Sequence, residues 1–272
     1  MFPSTVHTHT TYCDGKNTPE QMIQSAIRQG LSVIGFSGHS YVPFDNFGMH
    51  PDVLPTYIAE INALKAKYAG QIEVLLGIEI DADAPKTDLS PFDYVIGSAH
   101  SVRDAQGRPW IVDCSPEMTQ RAIDEGFGGD AMAMAKAYFD QLADYVIALK
   151  PTFVGHFDLL TKFSEKHALF DTDSPVYRDA ASNALSRVLD AGLVCEVNTG
   201  AISRGWRTTP YPAPFLLEQI CKAGGNVTLT ADTHAEDTLT CAYDEALGII
   251  KAAGFDKVLS LSKDGFKQIS IE

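Results

Sequence analysis

The sequence predicts an α/β fold: a distorted, TIM-like (β/α) barrel of seven or eight strands, with a metal site at the C-terminal ends of the strands. Three observations carry this expectation. Short apolar runs alternate with helix-like segments from end to end, the arrangement of parallel strands joined by helical crossovers. Six of the eight histidines close such runs: VHTH (His7, His9), VIGFSGH (His39), YVIGSAH (His100), FVGH (His156) and VTLTADTH (His234). Two runs also deliver carboxylates, Glu79 in VLLGIEID and Asp232 two residues before His234. Strand C-termini share one rim in a parallel barrel, and imidazoles gathered there with carboxylates are what a cluster of divalent cations needs.

The first strand is expected at 4–9. Thr18-Pro19-Glu20-Gln21 then opens a helix: Thr18 is an N-cap, Pro19 suits the first helical position and Gln21 closes a capping box. Met22, Ile23, Ala26 and Ile27 form its apolar face, and Gly30 ends it. The second strand is 33–38. A helix near 52–69 carries Leu54, Tyr57, Ile58, Ile61, Leu64 and Tyr68 at helical spacing. Strands three and four are 72–80 and 94–99. The Gly- and Asp-rich segment 101–130, with Trp110, reads as a long loop over the site side of the barrel. A helix at 131–149 leads to strand five, 152–156, and one at about 174–191 leads to strand six, 193–198. Residues 211–223 read as helical ahead of strand seven, 226–231. The helix near 236–253 presents Leu239, Tyr243, Leu247 and Ile250; the run 257–261 is an eighth strand or lies alongside the barrel. No repeat or linker-like break divides the chain, so residues 1–272 are expected to form one domain.

With 272 residues, 45% of them hydrophobic, the chain can bury a large core. No run approaches the roughly 18–20 apolar residues of a membrane span. A strand follows Met1 within a few residues, where a signal peptide would carry basic and then apolar segments. The five cysteines (Cys13, Cys114, Cys195, Cys221, Cys241) show no CxxC spacing and read as thiols of a reducing cytoplasm. Cys13, inside the ligand-bearing loop, reads as a small filler residue. The net charge of −14 argues against nucleic acid as a partner, because phosphate backbones demand a basic surface. A small phosphorylated substrate stays compatible, since bound cations make a pocket locally positive within an acidic surface. No membrane and no obligate protein partner are expected.

His7 and His9 are two apart in a strand, so both imidazoles point to one face and can reach one ion. Such a pair is a weak signal alone; its position after the first strand of a β/α chain gives it weight. Asp14, in TYCDG, follows in the next loop, where turn formation ahead of Gly15 is the competing role. His39 ends the second strand. Glu79 interrupts an apolar run, where burial is costly unless a cation or hydrogen bonds compensate it, so a metal-bridging role is economical. Asp81 points the same way, as a further ligand or a supporting group. His100, His156, Asp232 and His234 complete the set. His50 and His167 fall in loops, His50 either at a pocket mouth or simply solvated.

As an ordered set, HTHTTYCDG, GFSGHS, IEVLLGIEID, PFDYVIGSAHSV, VGHFDL, EVNTGAISR and ADTHAED cover nearly the whole chain. They resemble the PHP (polymerase and histidinol phosphatase) superfamily of metal-dependent phosphoesterases, and within it the histidinol-phosphate phosphatases. The resemblance implies a distorted (β/α)7 barrel and three divalent ions, whether zinc, manganese or iron. It implies His7, His9, Glu79 and Asp232 on a first ion, with Glu79 bridging to a second held by His100 and His156. Asp14, His39 and His234 would hold the third, although some members place a histidine where Asp14 stands. Amidohydrolase barrels also begin with HxH. Here, however, the sixth strand ends in Asn198-Thr199 and the Asp-x-His pair falls at the seventh, which favours the PHP pattern.

The implied activity is hydrolysis of L-histidinol phosphate to L-histidinol and phosphate, a step of histidine biosynthesis, by attack of a hydroxide bridging two ions. Phosphoryl transfer rests mostly on positioning and electrostatics, so fixed cations should face the phosphate. Arg204, in NTGAISR, and Lys162 are the candidates. Asp14, Asp232 or a metal-bound water could serve as general acid. Asp45, Asp113, Glu117 and Asp158 are candidates for the substrate's amine and imidazole. The alternatives are a PHP phosphoesterase for a nucleotide or phosphotyrosine, and a non-catalytic metal-binding module; nine filled ligand positions weigh against the latter.

Overall fold

In the computed structural model, residues 2–271 are described. The first half runs β1 (Ser4–Thr5), α1 (Pro19–Arg28), β2 (Val33–Phe36), α2 (Leu54–Lys67), β3 (Glu73–Asp81), β4 (Tyr94–Ser98), β5 (Ser101–Arg103), β6 (Pro109–Ile111), α3 (Pro116–Arg121) and α4 (Ala131–Leu149). The second runs β7 (Phe153–Val154), α5 (Ser164–His167), α6 (Pro175–Asp190), β8 (Cys195–Asn198), α7 (Gly200–Ser203), α8 (Pro214–Lys222), β9 (Val227–Thr230), α9 (Tyr243–Ala252), β10 (Lys257–Ser262) and β11 (Gly265–Ser270). The main sheet is ordered β1-β2-β3-β4-β7-β8-β9-β10-β11, parallel throughout except for the last pair. It curls into a TIM-like barrel. The rim closes where Thr8 bridges Thr233, with His9 N donating to Thr233 O (2.8 Å) and Thr233 N to His7 O (3.0 Å). Below that closure β10 takes the eighth position, and Ser260 Oγ meets Ser4 Oγ at 2.9 Å.

The two-residue period of β3 shows how the barrel aims its side chains. Val74, Leu76 and Ile78 pack outward against Met22, Tyr57 and Ile61 of α1 and α2. Leu75 faces inward with Val6, Tyr94, Ile96, Phe153 and Leu261, which fill the barrel below the rim. Gly77 and Glu79 share that inward side by alternation. Gly77 has to be glycine: a Cβ there would lie 2.2 Å from the Tyr94 ring, whose hydroxyl donates to Val6 O at 2.7 Å. Glu79 is thereby presented above an apolar floor. The capping box of α1 is formed, Thr18 Oγ1 accepting from Gln21 N and Gln21 Oε1 from Thr18 N.

Four expectations change. Residues 101–130 are structured: β5 and β6 pair antiparallel, and α3 and a single π-turn (Ala122–Gly126) follow. The Asp and Gly content supplies the hairpin turn, with Asp104 accepting from Arg108 Nε (2.8 Å) and Trp110 Nε1 (2.9 Å). β1 is shorter than 4–9: past Thr5 the regular ladder stops, and Thr8 contacts Ser37 on one side and bridges Thr233, beyond β9, on the other. The helix expected from 211 starts at Pro214, since Tyr211 bonds reciprocally to Asn198 (2.8 and 2.9 Å). The helix expected from 236 starts at Tyr243, because Thr233 and Thr238 hydroxyls fold 233–238 into turns. Among the described residues no helix is long and apolar enough to cross a membrane.

Candidate metal centre

The strand ends converge on one carboxylate. Glu79 Oε2 lies 3.2 Å from His7 Nε2, 3.6 Å from His9 Nε2 and 2.9 Å from His39 Nδ1. Its other oxygen, Oε1, lies 3.0 Å from His156 Nε2 and 3.6 Å from His100 Nε2. Asp232 Oδ1 joins the first group, 3.3 Å from His9 Nε2 and 3.8 Å from His7 Nε2. Asp14 organises a third, with Oδ2 3.1 Å from His234 Nε2 and Oδ1 3.7 Å from His39 Nε2. All nine predicted ligands fall into sets whose donor atoms lie within 4.8 Å of one another.

The donor set fits divalent cations. Bonds of about 2.1 Å in a tetrahedron separate donors by roughly 3.4 Å, which is the spacing seen around Glu79. His7 Nε2, His9 Nε2 and Glu79 Oε2 are buried without any hydrogen-bond partner, a costly arrangement unless something binds between them. Mixed nitrogen and oxygen donors suit zinc, manganese and iron alike. Asp232 sits at φ 45°, a left-handed conformation that L-residues rarely adopt. Arg204 holds it there, donating from Nη1 to its carbonyl (3.1 Å) and from Nη2 to Oδ2 (3.0 Å).

Burial and the surrounding carboxylates compete in setting the proton affinity of these histidines. Burial opposes a charge on His7, yet Glu196, Glu79 and Asp232 outweigh it and hold its pKa well above the ordinary value. Burial also works against His39 and His100, but Glu79, with Asp14 at one and Asp81 at the other, brings both up to about 9. His9 goes the other way: burial and its neighbours His234 and His39 push it down to about 3. Glu79, despite burial, is held well below the carboxylate range by His7, His39 and His100. Metal binding at such a site releases protons.

Two further carboxylates stand behind the histidines. Asp81 Oδ2 accepts from His100 N (2.9 Å) and lies 3.0 Å from His100 Nδ1, which makes it a support for that ring. Glu196 is the residue sequence reasoning passed over. It is fully buried, and contacts His7 Nδ1 (2.5 Å), Thr230 Oγ1 (2.5 Å), His156 N (2.7 Å) and Asn198 Nδ2 (2.9 Å). The available signal was a glutamate inside the apolar run LVCEV, the same signal that marks Glu79. The sixth parallel strand, β8, contributes to the centre after all.

A cleft of about 190 Å³ opens over the ligands, and Asp45, Phe47, Asp113, Lys162 and Arg204 line it. Lys162 Nζ donates to Asp113 O (2.7 Å) and Oδ2 (3.1 Å). Burial raises the Asp45 pKa. Asp158 lies elsewhere, buried beside Arg207 in a separate cavity. Glu117 is exposed on α3 and outside the cleft lining. His50 is exposed and paired with Asp52 (3.3 Å), and exposed His167 lies beside Trp206. Cys13 Sγ lies 3.6 Å from His9 Nδ1, and burial pushes its thiol up to about 12.

A model of the PHP domain matches residues 5–200, a span that contains the ligands from His7 to His156. A Deinococcus radiodurans protein named "Probable histidinol-phosphatase" is 31% identical, with 91% of this chain and 92% of that protein covered. A Schizosaccharomyces pombe protein of the same name is 28% identical, with 96% and 90% covered. The histidinol phosphate phosphatase of Lactococcus lactis, solved with zinc, L-histidinol and phosphate, shares the fold: its TM-score is 0.67 at 21% identity, with 97% and 98% covered. The carboxylate-bridged histidine rim and these likenesses lead to one conclusion: the chain belongs to the PHP domain family, among the histidinol-phosphatases.

Proposed function

We propose that this chain is a metal-dependent phosphomonoesterase that hydrolyses L-histidinol phosphate to L-histidinol and phosphate. The observation that carries this reading is the Glu79 carboxylate, which turns one oxygen to each of two donor groups while a third group lies beside them. His7, His9, Glu79 and Asp232 would hold one ion, Glu79, His100 and His156 a second, and Asp14, His39 and His234 a third. Ions so held lower the pKa of coordinated water from about 15.7 towards 7 and neutralise phosphoryl oxygens. The names of the relatives, and the zinc, histidinol and phosphate bound by the Lactococcus lactis protein, support the same substrate and metal class.

The chain's own residues do the rest. The P–O ester bond breaks as water adds to phosphorus, and the alcohol oxygen leaves with a proton. Lys162 has three N–H donors; with two bonded to Asp113, one remains for a phosphoryl oxygen. Arg204 fixes Asp232 and shows a second face to the cleft. Asp45 is the carboxylate for the substrate ammonium, because Asp113 is already committed to Lys162. Despite burial, His39 and His234 hold Asp14 far below the carboxyl range, and Arg204 and His7 do so for Asp232. Both therefore stay ionised, which suits cation binding and not proton donation. We also read residues 1–272 as one cytoplasmic domain without nucleic-acid, membrane or obligate protein partners; the net charge of −14 supports the first exclusion.

Phosphate release from histidinol phosphate, measured with metal content, tests the proposal. Activity should vanish on chelation and return with zinc or manganese, and Glu79→Gln should lose at least about 100-fold. Full activity after chelation, or less than about one metal equivalent in active protein, would sink it, since the mechanism needs several ions.

A further inference from the structure

The partners of Glu196 are donors. His156 N–H is a main-chain group and can only donate to Oε2 (2.7 Å). Asn198 also faces Oε2, at 2.9 Å, and its amide orientation is fixed because its Oδ1 accepts from Gly200 N at 2.8 Å. Nδ2 of Asn198 is therefore the atom that points at Glu196. Thr230 Oγ1 and His7 Nδ1 both meet Oε1 at 2.5 Å. An ionised carboxylate offers only acceptors, so His7 Nδ1 must carry a hydrogen. We infer that Glu196 is a positioning residue: it fixes His7 as the Nδ1–H tautomer and so leaves the Nε2 lone pair free on the Glu79 and Asp232 side. The inference rests on His7 as a ligand of the first ion.

The same carboxylate also sets where the second group stands. From β8 it reaches the main chain of His156 after β7, Thr230 on β9 and the ring of His7 after β1. It thus ties one histidine of each group around Glu79 to a common buried point. Asp81 serves His100 alone in the corresponding way. Carboxylates that orient ligand histidines in this manner typically affect metal affinity by about 10–100-fold.

Glu196→Gln isolates the effect, because it keeps the volume and replaces one acceptor with an NH2 donor. Turned towards Oε2, that NH2 opposes two groups that can only donate. Turned towards Oε1, it faces a Thr230 hydroxyl able to rotate and a His7 ring. That ring can accept at Nδ1 only by placing its proton on Nε2, the atom the ion needs. The test is zinc competition against a chromophoric chelator on the full chain, paired with nitrogen-15 NMR of the histidine rings in wild type and variant. The expected result is about 10–100-fold weaker zinc binding in E196Q and a Nδ1–H signature with a zinc-bound Nε2 for His7 in zinc-loaded wild-type protein. Wild-type zinc affinity in a folded E196Q would overturn the inference, as would a His7 of zinc-loaded wild-type protein protonated at Nε2 or bound through Nδ1. The wild-type spectrum decides even if the variant does not fold. A wild-type protein that binds no zinc defeats the ligand assignment itself, which separates the two failures.

Discussion

Replacing Gly200 with alanine tests how tightly the rim is packed around its strained ligand. A Cβ at this position would lie 2.7 Å from Arg204 Nη2, 2.8 Å from Asp232 Oδ2 and 2.9 Å from Asp232 Cβ. Ordinary contact begins near 3.4 Å, so the neighbours must yield by about 0.7 Å. Neither is free to do so. Arg204 is bonded to Asp232 at 3.0 and 3.1 Å, and Asp232 sits at φ 45° with its other oxygen 3.3 Å from His9. The backbone of Gly200 itself is helical and would accept alanine, so the cost comes from overpacking alone. Overpacking costs about 1–3 kcal/mol, which for a chain of this size lowers Tm by about 2–12 °C. Because Asp232 must shift, zinc affinity should also fall, by about 10-fold or more. Calorimetry with and without zinc measures both quantities. Wild-type Tm and wild-type zinc affinity in G200A would refute the packing argument, since no relaxation within the observed bonds accommodates the methyl group.

Gly248 is the contrasting case: it is exposed inside α9 with nothing within 4 Å of a built Cβ, so Gly248→Ala should stabilise the protein by about 0.5–1 kcal/mol in chemical denaturation. Asp45→Asn should raise KM for histidinol phosphate about 10-fold, the loss of one charge-assisted bond, with little change in kcat because the ammonium takes no part in the bond that breaks; an unchanged KM in steady-state assays would remove Asp45 from substrate binding. Metal-free protein should lose stability as pH rises from about 6.5 to about 9. Burial opposes protonation of His39 and His100, but Glu79 lifts both to about 9, so the folded state binds protons that the unfolded chain releases. Their contribution is complete below about 6.5 and gone above about 9, whereas His9, pushed down to about 3, costs stability only below about 6.5. Thermal unfolding of chelated protein across that window should show the fall, and zinc-loaded protein should not, because cations replace those protons.

Much of this architecture is written in local patterns. The strand-end histidines and Glu79 were legible because a polar residue closing an apolar run has few explanations, and alternation in β3 alone decides that Glu79 points inward. The helix at 131–149 was legible for the same reason: Asp130 caps it and its apolar face repeats over nineteen residues. What was not legible depends on contacts distant in sequence. Asp104 gathers Arg108 and Trp110 into a hairpin that composition presents only as Gly- and Asp-rich. Tyr211 delays its helix by pairing with Asn198. Glu196 carries the same mark as Glu79, but its partners lie on three other strands, so its work on His7 emerges only once the barrel closes. The choice of Asp45 over Asp113 likewise requires Lys162, which reaches Asp113 from 49 positions away.

The site also bears on how the barrel holds together. β2 and β3 pair over four positions and β3 and β4 over five, whereas the segments that follow β1 and β9 share a single bridge, Thr8 to Thr233. Backbone support at that closure comes from His9 N to Thr233 O, Thr233 N to His7 O and Lys16 N to His234 O. Ligands gather at this sparse closure: His7, His9 and Asp14 from the first β/α unit face Asp232 and His234, which follow β9. Cations held between them would cross-link the two sides of the closure where backbone hydrogen bonds are few, and their binding free energy would count as folding free energy. That coupling explains why a left-handed Asp232 and orphaned nitrogens are tolerated at the rim while the inward faces below it are filled with ordinary apolar side chains. A strained Asp232 and the unsatisfied His7 and His9 nitrogens lie where ion binding can repay them, and on this reading closing the barrel and completing the active site are one event.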